Sequence, residues 1–111
     1  MGGFRRATRL WKMDSTISTA NGTTVLILEG RLGHATAGDL RAAASPLIAA
    51  ATPALVLDLA GVDYISSAAL KVLEELAAAQ SSQGHRLLLR APSPAARLSL
   101  DLAGLRSLFV P

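Results

Sequence analysis

The sequence LVLDLAGVDYISSAALKVL, residues 55–73, joins an apolar run to an amphipathic pattern through a short polar segment. The run at residues 54–59 is nearly continuous, which is typical of a strand buried on both faces. From residue 68 to residue 83 the apolar residues recur at helical spacing, and Gly84 suits the position after a helix. The predicted apolar stripe consists of Leu70, Leu73, Leu76 and Ala77, opposite a solvated face with Lys71 and Glu75. This stretch therefore predicts a strand, a loop at residues 61–67 and a helix.

Toward the N-terminus, the pattern predicts a β-hairpin. Residues 15–18 alternate weakly, and residues 23–28 are β-branched and apolar, so that both segments are predicted strands. The dipeptide Asn21-Gly22 between them favours a tight hairpin turn.

A helix is predicted over residues 34–51, with Thr36 as its N-cap and with Pro46 kinking or dividing it. Beyond the central stretch, a strand, a helix and a possible last strand are predicted at residues 86–90, 95–103 and 108–110. The order ββαβαβα(β) indicates an α/β fold with a small mixed sheet flanked by helices. Its hairpin is antiparallel, and its later strands are parallel and joined by right-handed crossovers.

A length of 111 residues is enough for one domain and too short for two. Half of the residues are hydrophobic and 17% are charged, which excludes a disordered chain. The absence of cysteine excludes disulfides, thiolate metal sites and cysteine nucleophiles, and it favours a cytoplasmic location. No apolar run approaches the roughly 20 residues that a membrane-spanning helix needs.

The basic pI belongs to the first twelve residues. Four of the eleven basic residues lie at positions 1–12, whereas all eight acidic residues follow them, so the remaining chain is nearly neutral. We interpret residues 1–12 as a disordered extension and residues 13–111 as the domain; a basic arm that contacts a nucleic acid or a membrane is the alternative. The domain itself is not expected to bind nucleic acid directly.

No pattern of catalytic residues is present. His34 and His85 have no ligand-type residue at helical spacing, which speaks against a metal site. Glu74 and Glu75 are adjacent on the predicted helix and so point about 100° apart, a poor geometry for a carboxylate pair. The sequence also has no phosphate-binding glycine loop and no nucleophile elbow. We therefore expect a protein without catalytic residues, metal or cofactor, and not an enzyme.

Ser66 and Ser67 lie where the helix of the central stretch begins. One interpretation is an N-cap, in which a serine oxygen accepts a backbone N–H, worth about 1 kcal/mol. The other is a phosphorylation site, because a helix N-terminus favours negative charge and a phosphate adds about −1.5 to −2 charge. Spacing alone favours the cap.

Three segments together resemble the STAS domain, in the branch of the anti-sigma factor antagonists. Residues 55–73 are similar to its signature of a strand, a Ser-containing tripeptide and a helix. Residues 28–40, LEGRLGHATAGDL, resemble the segment that leads into its first helix, and residues 97–108 resemble its ending, with Leu102, Gly104 and Leu105. The resemblance covers about residues 14–110.

The resemblance implies a binding protein that captures a serine-kinase anti-sigma factor, of histidine-kinase-like ATPase fold, and thereby releases a sigma factor. In the family, the kinase phosphorylates a serine at the start of the second helix and a phosphatase removes the phosphate. That serine corresponds to Ser67 and less well to Ser66, which stands where many members have Asp, while Ala69 stands where most have Gly. The alternative is a non-phosphorylated STAS scaffold, or an accessory subunit of a lipid-transport ATPase or of a stress-signalling complex.

The expected partner-binding surface lies at the carboxyl edge of the sheet, where sites on parallel sheets usually form. It consists of Asp63, Tyr64, Ser66, Ser67, Lys71 and Glu75, together with Gly33, His34 and Thr36 from the earlier connection.

Overall fold

The computed structural model describes residues 13–110, and the predicted extension at residues 1–12 lies outside them. Four strands form one sheet in the order β1-β2-β3-β4: β1 Met13–Ala20, β2 Thr23–Leu32, β3 Ala54–Ile65 and β4 Arg86–Arg90. Strand β1 is antiparallel to β2, whereas β2, β3 and β4 are parallel. The helices are α1 Ala37–Ala49, α2 Ser67–Ser82 and α3 Pro94–Leu102. The α/β class, the mixed sheet and the element order are confirmed.

The hairpin between β1 and β2 is confirmed. Asn21 and Gly22 both have positive φ, 53° and 79°, as a two-residue turn of this kind requires. Strand β1 carries mostly small polar residues and is almost entirely exposed, so it forms one edge of the sheet.

The core is one aliphatic cluster that joins the sheet to all three helices. Leu26 and Leu28 of β2 and Leu57 of β3 have no exposed surface, and the cluster includes Leu40 of α1 and Leu100 of α3. Burying each such side chain contributes about 1.5–3 kcal/mol. The core therefore fixes the register of the strands, since a one-residue slip would turn these side chains to the opposite face.

Strand β3 is much longer than predicted, because the segment at residues 61–67 is not a loop. Its pairing with β2 shifts by one residue twice, between Ile27 and Glu29 and again between Gly30 and Arg31. These irregularities interrupt the alternation of apolar residues, which is why the sequence pattern ended the strand too early. A Cβ at Gly61 would lie 2.8 Å from Cγ of Glu29, so the two strands approach closely there.

Helix α1 begins at Ala37, three residues later than predicted, and it is not divided by Pro46. Pro46 has no N–H to donate to the carbonyl of Ala42, yet the helix continues through it to Ala49. Helix α2 ends at Ser82, one residue before the predicted end, and Gly84 at φ 75° follows the C-cap Gln83, at the predicted position after the helix.

The buried face of α2 differs from the predicted stripe. Leu73 and Leu76 are buried as expected, whereas Leu70 and Ala77 are only half-buried. Ala69, Val72 and Gln80 are buried instead, because α2 packs against both α1 and β4. The fully buried Gln80 donates its amide hydrogens to the carbonyl oxygens of Thr52 and Arg86, at 3.0 and 2.8 Å.

The last predicted strand is reduced to a single β-bridge. Residues Arg106–Leu108 form a single 3-10 turn, after which Phe109 pairs with Leu89 of β4. The backbone N–H of Val110 donates to the carbonyl of Leu89 at 2.9 Å. The guanidinium of Arg97 stacks on the Phe109 ring, 4.4 Å from its centroid, and so holds this segment against α3.

Candidate partner-binding site

The N-termini of α1 and α2 both lie at the carboxyl edge of the sheet. Strands β2 and β3 end at the paired residues Leu32 and Ile65. The backbone N–H of Ser66 donates to the carbonyl of Leu32 at 2.8 Å. The connection into α1 and the start of α2 therefore lie side by side, as the sequence predicts from the carboxyl ends of neighbouring parallel strands.

In the connection into α1, the hydroxyl of Thr36 holds the loop and does not cap the helix. Its Oγ1 accepts the backbone N–H of Gly33 at 2.9 Å and donates to the backbone carbonyl of Arg31. Thr36 is the N-cap residue of α1, as predicted, but its side chain does not make the expected hydrogen bond to the helix. With 2% of its surface exposed, Thr36 positions the loop that a partner would meet.

At the start of α2, the two serines have different environments. Ser66 is the N-cap: its Oγ accepts the backbone N–H of Ala69 at 3.2 Å. Ser67 is the first helical residue and is exposed, and its hydroxyl makes no hydrogen bond within the described residues 13–110. The two interpretations of the serine pair thus fall on separate residues, since the cap belongs to Ser66 and the accessible hydroxyl to Ser67.

Ser67, Lys71 and Glu75 form an exposed line along α2, because positions four residues apart share one helix face. Glu75 is paired across the surface, with its Oε1 2.6 Å from Nη2 of Arg41 on α1. Both side chains are more than half exposed, so this pair contributes little to stability. The charge that Glu75 presents is therefore partly balanced, whereas Lys71 has no ion-pair partner among residues 13–110.

A cleft of about 330 Å³ separates the two helix N-termini. It is lined by Arg31, Gly33, His34, Ala35, Thr36, Tyr64 and Ser66, and we call it the edge cleft. The guanidinium of Arg31 stacks on the ring of Tyr64, 4.2 Å from its centroid. The site prediction missed Arg31. Arg31 could have been recognised as a cation near the end of β2, in the position that alternates with the buried Leu32. Its contact with Tyr64 could not, because that contact depends on the irregular register between β2 and β3.

The remaining predicted contact residues are also at this edge. Asp63 is exposed near the end of β3 but does not line the edge cleft. Gly33 lies beside Tyr64, and an added Cβ would be in ordinary contact with the ring, 3.9 Å from Cε2. His34 is exposed on the rim, whereas the other histidine, His85, lies near the start of β4. The structure thus brings together the predicted residues from both connections.

Asp58 forms hydrogen bonds that stabilise the irregular part of β3, which leads to this edge. Its Oδ1 accepts the backbone N–H of Ala60 at 2.9 Å, and its Oδ2 lies 2.7 Å from Nη2 of Arg90. Burial by itself would raise the pKa of Asp58, but the Ala60 hydrogen bond and the Arg90 guanidinium outweigh it, so the pKa is lowered from 3.8.

The described part of the chain contains no group of three or more side chains that could hold a metal ion. Among its helices, none has the length and apolar character required to cross a membrane.

Comparison with solved structures reveals the same fold in several regulators. An anti-sigma factor antagonist from Mycobacterium paratuberculosis is 26% identical with a TM-score of 0.82, covering 93% of this chain and 87% of that chain. The Bacillus cell fate determinant SpoIIAA, in its phosphorylated form, is 19% identical with a TM-score of 0.70, covering 87% and 89%. A variant of RsbS from Moorella thermoacetica is 20% identical with a TM-score of 0.65, covering 82% and 78%.

No curated protein matches the chain. A family model described as "Mlab, STAS domain" matches residues 15–111. This span contains all helices of the described residues, the whole edge cleft and all but the first two residues of the sheet. The chain therefore belongs to the STAS-domain family.

Proposed function

We propose that this chain is an anti-sigma factor antagonist, a cytoplasmic binding protein and not an enzyme. It binds a serine-kinase anti-sigma factor, releases the sigma factor, and loses its partner when Ser67 is phosphorylated. A phosphatase then restores binding. The observation that supports this best is the start of α2, where an exposed serine hydroxyl stands beside a capping serine. The 26% identical antagonist, which shares almost the whole fold, supports the same role.

The local chemistry favours Ser67 over Ser66 as the phosphate acceptor. The Oγ of Ser66 accepts the Ala69 N–H and is part-buried, so Ser66 is less accessible to a kinase than the exposed Ser67. A phosphate on Ser67 lies at the positive end of α2, where negative charge is stabilised by about 0.3–1 kcal/mol. It also stands one turn before Lys71, at a spacing that favours an ion pair. Modification of Ser67 can therefore change the surface charge while the fold is retained.

Phosphorylation is tested with the purified chain, ATP and the anti-sigma kinase that the chain captures. Mass spectrometry is expected to find one phosphate on Ser67 in the wild type and in Ser66→Ala, and none in Ser67→Ala. The proposal is wrong if no phosphate appears or if it appears only outside residues 66–67.

Partner binding is tested by titrating the same kinase into Ser67→Asp and Ser67→Ala. Ser67→Asp is expected to bind at least about tenfold more weakly, equivalent to about 1.4 kcal/mol, whereas Ser67→Ala binds like the wild type. A thermal melt of both variants controls for folding. If Ser67→Asp binds as tightly as the wild type, charge at this position is not the switch.

A second candidate function is a non-phosphorylated scaffold, or an accessory subunit of a lipid-transport ATPase or a stress-signalling complex. The observation that favours it is Ala69, whose side chain is fully buried at the start of α2, where the antagonist pattern has glycine. Affinity purification from the native cell separates the two candidates. Recovery of an ATPase complex, with Ser67 unmodified and no anti-sigma kinase, would replace the first proposal by the second.

A further inference from the structure

Arg31 is a cation that has no anionic partner among the residues that the structure describes. Within residues 13–110 no carboxylate lies at ion-pair distance from its guanidinium, and its side chain donates no hydrogen bond. The guanidinium is nevertheless held in place, because it lies over the Tyr64 ring. Stacking uses only the face of the guanidinium, so its N–H edge remains free to bind a planar anion with two hydrogen bonds.

The backbone on both sides of this guanidinium is also fixed. Arg31 and Tyr64 are register partners on neighbouring strands, and the carbonyl of Arg31 accepts the hydroxyl of the buried Thr36. A side chain that is already ordered loses less conformational entropy when it binds. Arg31 is therefore preorganised for recognition, unlike a solvated surface arginine.

The described lining of the edge cleft contains Arg31 and no negatively charged side chain. His34 is the only other titratable side chain of the lining besides Tyr64, and no aspartate or glutamate of residues 13–110 lines the cleft. The nearest acidic residues in sequence on the packed elements lie outside the lining: Glu29 on β2, Asp63 on β3 and Asp39 in the first turn of α1. Because no carboxylate of the described residues lines the cleft, the position beside Arg31 favours a bound group of negative charge.

We propose that Arg31, stacked on Tyr64, binds an acidic side chain of the partner protein, which enters the edge cleft as the charge-selective contact of the complex. This inference rests on the proposed function, since it names the chemistry by which the anti-sigma factor is recognised at the same edge. The cleft is open and large enough for one carboxylate side chain. A phosphate on Ser67 would stand one residue from the cleft lining and would repel that carboxylate.

The direct test compares Arg31→Gln with Arg86→Gln. Arg86 is exposed at the start of β4, the opposite end of the sheet, and makes no ion pair among the described residues, so both variants remove one unpaired positive charge. In calorimetric titration with the anti-sigma kinase that the wild type binds, Arg31→Gln is expected to weaken affinity at least about tenfold. Arg86→Gln is expected to change it less than about twofold. Equal effects of the two variants, or wild-type affinity of Arg31→Gln, would overturn the inference.

Affinity measured at two salt concentrations and in a conservative variant distinguishes specific binding by the Arg31 guanidinium from a general effect of charge. The difference between wild type and Arg31→Gln is expected to shrink between about 0.05 and about 0.5 M salt, because part of the interaction is screened. Arg31→Lys retains the charge but loses the planar fork, so it is expected to bind with intermediate affinity. A lysine variant as weak as Arg31→Gln at both salt concentrations would contradict an electrostatic contact.

A test without the kinase keeps this inference distinct from the proposed function. The capped dipeptide Ac-Glu-Glu-NH₂ is titrated into the free chain while backbone amides are followed by NMR, with Ac-Gln-Gln-NH₂ and inorganic phosphate as comparisons. Saturable shifts at residues 31–36 with the Glu peptide alone, lost in Arg31→Gln, would support the inference even if no anti-sigma kinase binds. Absence of such shifts, or a response to phosphate only, would overturn it. If Ser67→Asp loses the kinase while Arg31→Gln keeps it, the inference fails and the proposed function stands.

Discussion

The starts of α1 and α2 use similar residues in opposite ways. Thr36 precedes α1 and Ser66 precedes α2, both at the carboxyl edge of the sheet. The hydroxyl of Thr36 bonds backward to the loop, whereas the hydroxyl of Ser66 bonds forward to the helix. The difference follows from the length of the connection. Three residues separate β2 from Thr36, whereas Ser66 follows β3 directly and its backbone N–H is already fixed by Leu32.

This difference suits the two helix starts to different tasks. The loop before α1 is internally bonded and fixes the backbone of Arg31, so it can serve as a rigid contact surface. The start of α2 is capped through Ser66, which leaves the next hydroxyl accessible to a modifying enzyme. In the proposed switch, Ser66 therefore serves the fold and Ser67 accepts the modification.

The largest stability effect is expected at Thr36. Thr36→Val keeps the shape of the buried side chain but leaves the N–H of Gly33 and the carbonyl of Arg31 without their partner, a loss of about 2 kcal/mol. Urea unfolding measures it, and Thr36→Ser, which retains the hydroxyl, is the control. If Thr36→Val is less destabilising than Ser66→Ala, the loop hydrogen bonds of Thr36 contribute less to stability than the helix cap of Ser66, contrary to this prediction.

An intermediate effect is expected at Ser66. Ser66→Ala removes the cap of α2 and should lower the free energy of unfolding by about 1 kcal/mol. Helix α3 offers a matched control, because Oγ of Ser93 accepts the N–H of Ala96 at the same distance of 3.2 Å. Similar losses in Ser66→Ala and Ser93→Ala would show that Ser66 has an ordinary capping role. A loss at Ser66 of only a few tenths of a kcal/mol would contradict the cap.

The sequence predicts the elements of this fold well but the contacts of the site only in part. Apolar periodicity and turn residues locate the hairpin, the three helices and the parallel strands, because those features depend on local pattern. The irregular end of β3 escapes prediction, since two register shifts break the alternation and can be recognised only against β2. The stacking of Arg31 on Tyr64 depends on that register and was missed for the same reason. Residue type alone predicts a capping hydrogen bond from both Thr36 and Ser66, but only Ser66 makes one.

A smaller, pH-dependent effect is expected at Asp58, which supports the strand leading to the start of α2. Since its folded-state pKa lies below 3.8, its ionised form contributes stability above that pH, and the contribution is lost as pH falls through the folded pKa. Asp58→Asn should therefore remove part of the acid dependence of unfolding. Arg90→Gln should remove less of it, because the Ala60 N–H still favours the carboxylate. Unfolding curves recorded as a function of pH measure both effects. An unchanged acid dependence in Asp58→Asn would contradict a stabilising role of the Asp58 carboxylate.

The smallest effect is expected at Ser67, and it decides whether the division between the two serines holds. Its exposed hydroxyl makes no hydrogen bond within residues 13–110, so Ser67→Ala should change the free energy of unfolding by less than about 0.5 kcal/mol. The double variant Ser66→Ala/Ser67→Ala should then lose no more than Ser66→Ala alone, as denaturant unfolding of all three can establish. A loss near 1 kcal/mol in Ser67→Ala would mean that Ser67 shares the capping role. Phosphorylation of Ser67 would then have to break a structural hydrogen bond, and the charge change would no longer be separable from the fold.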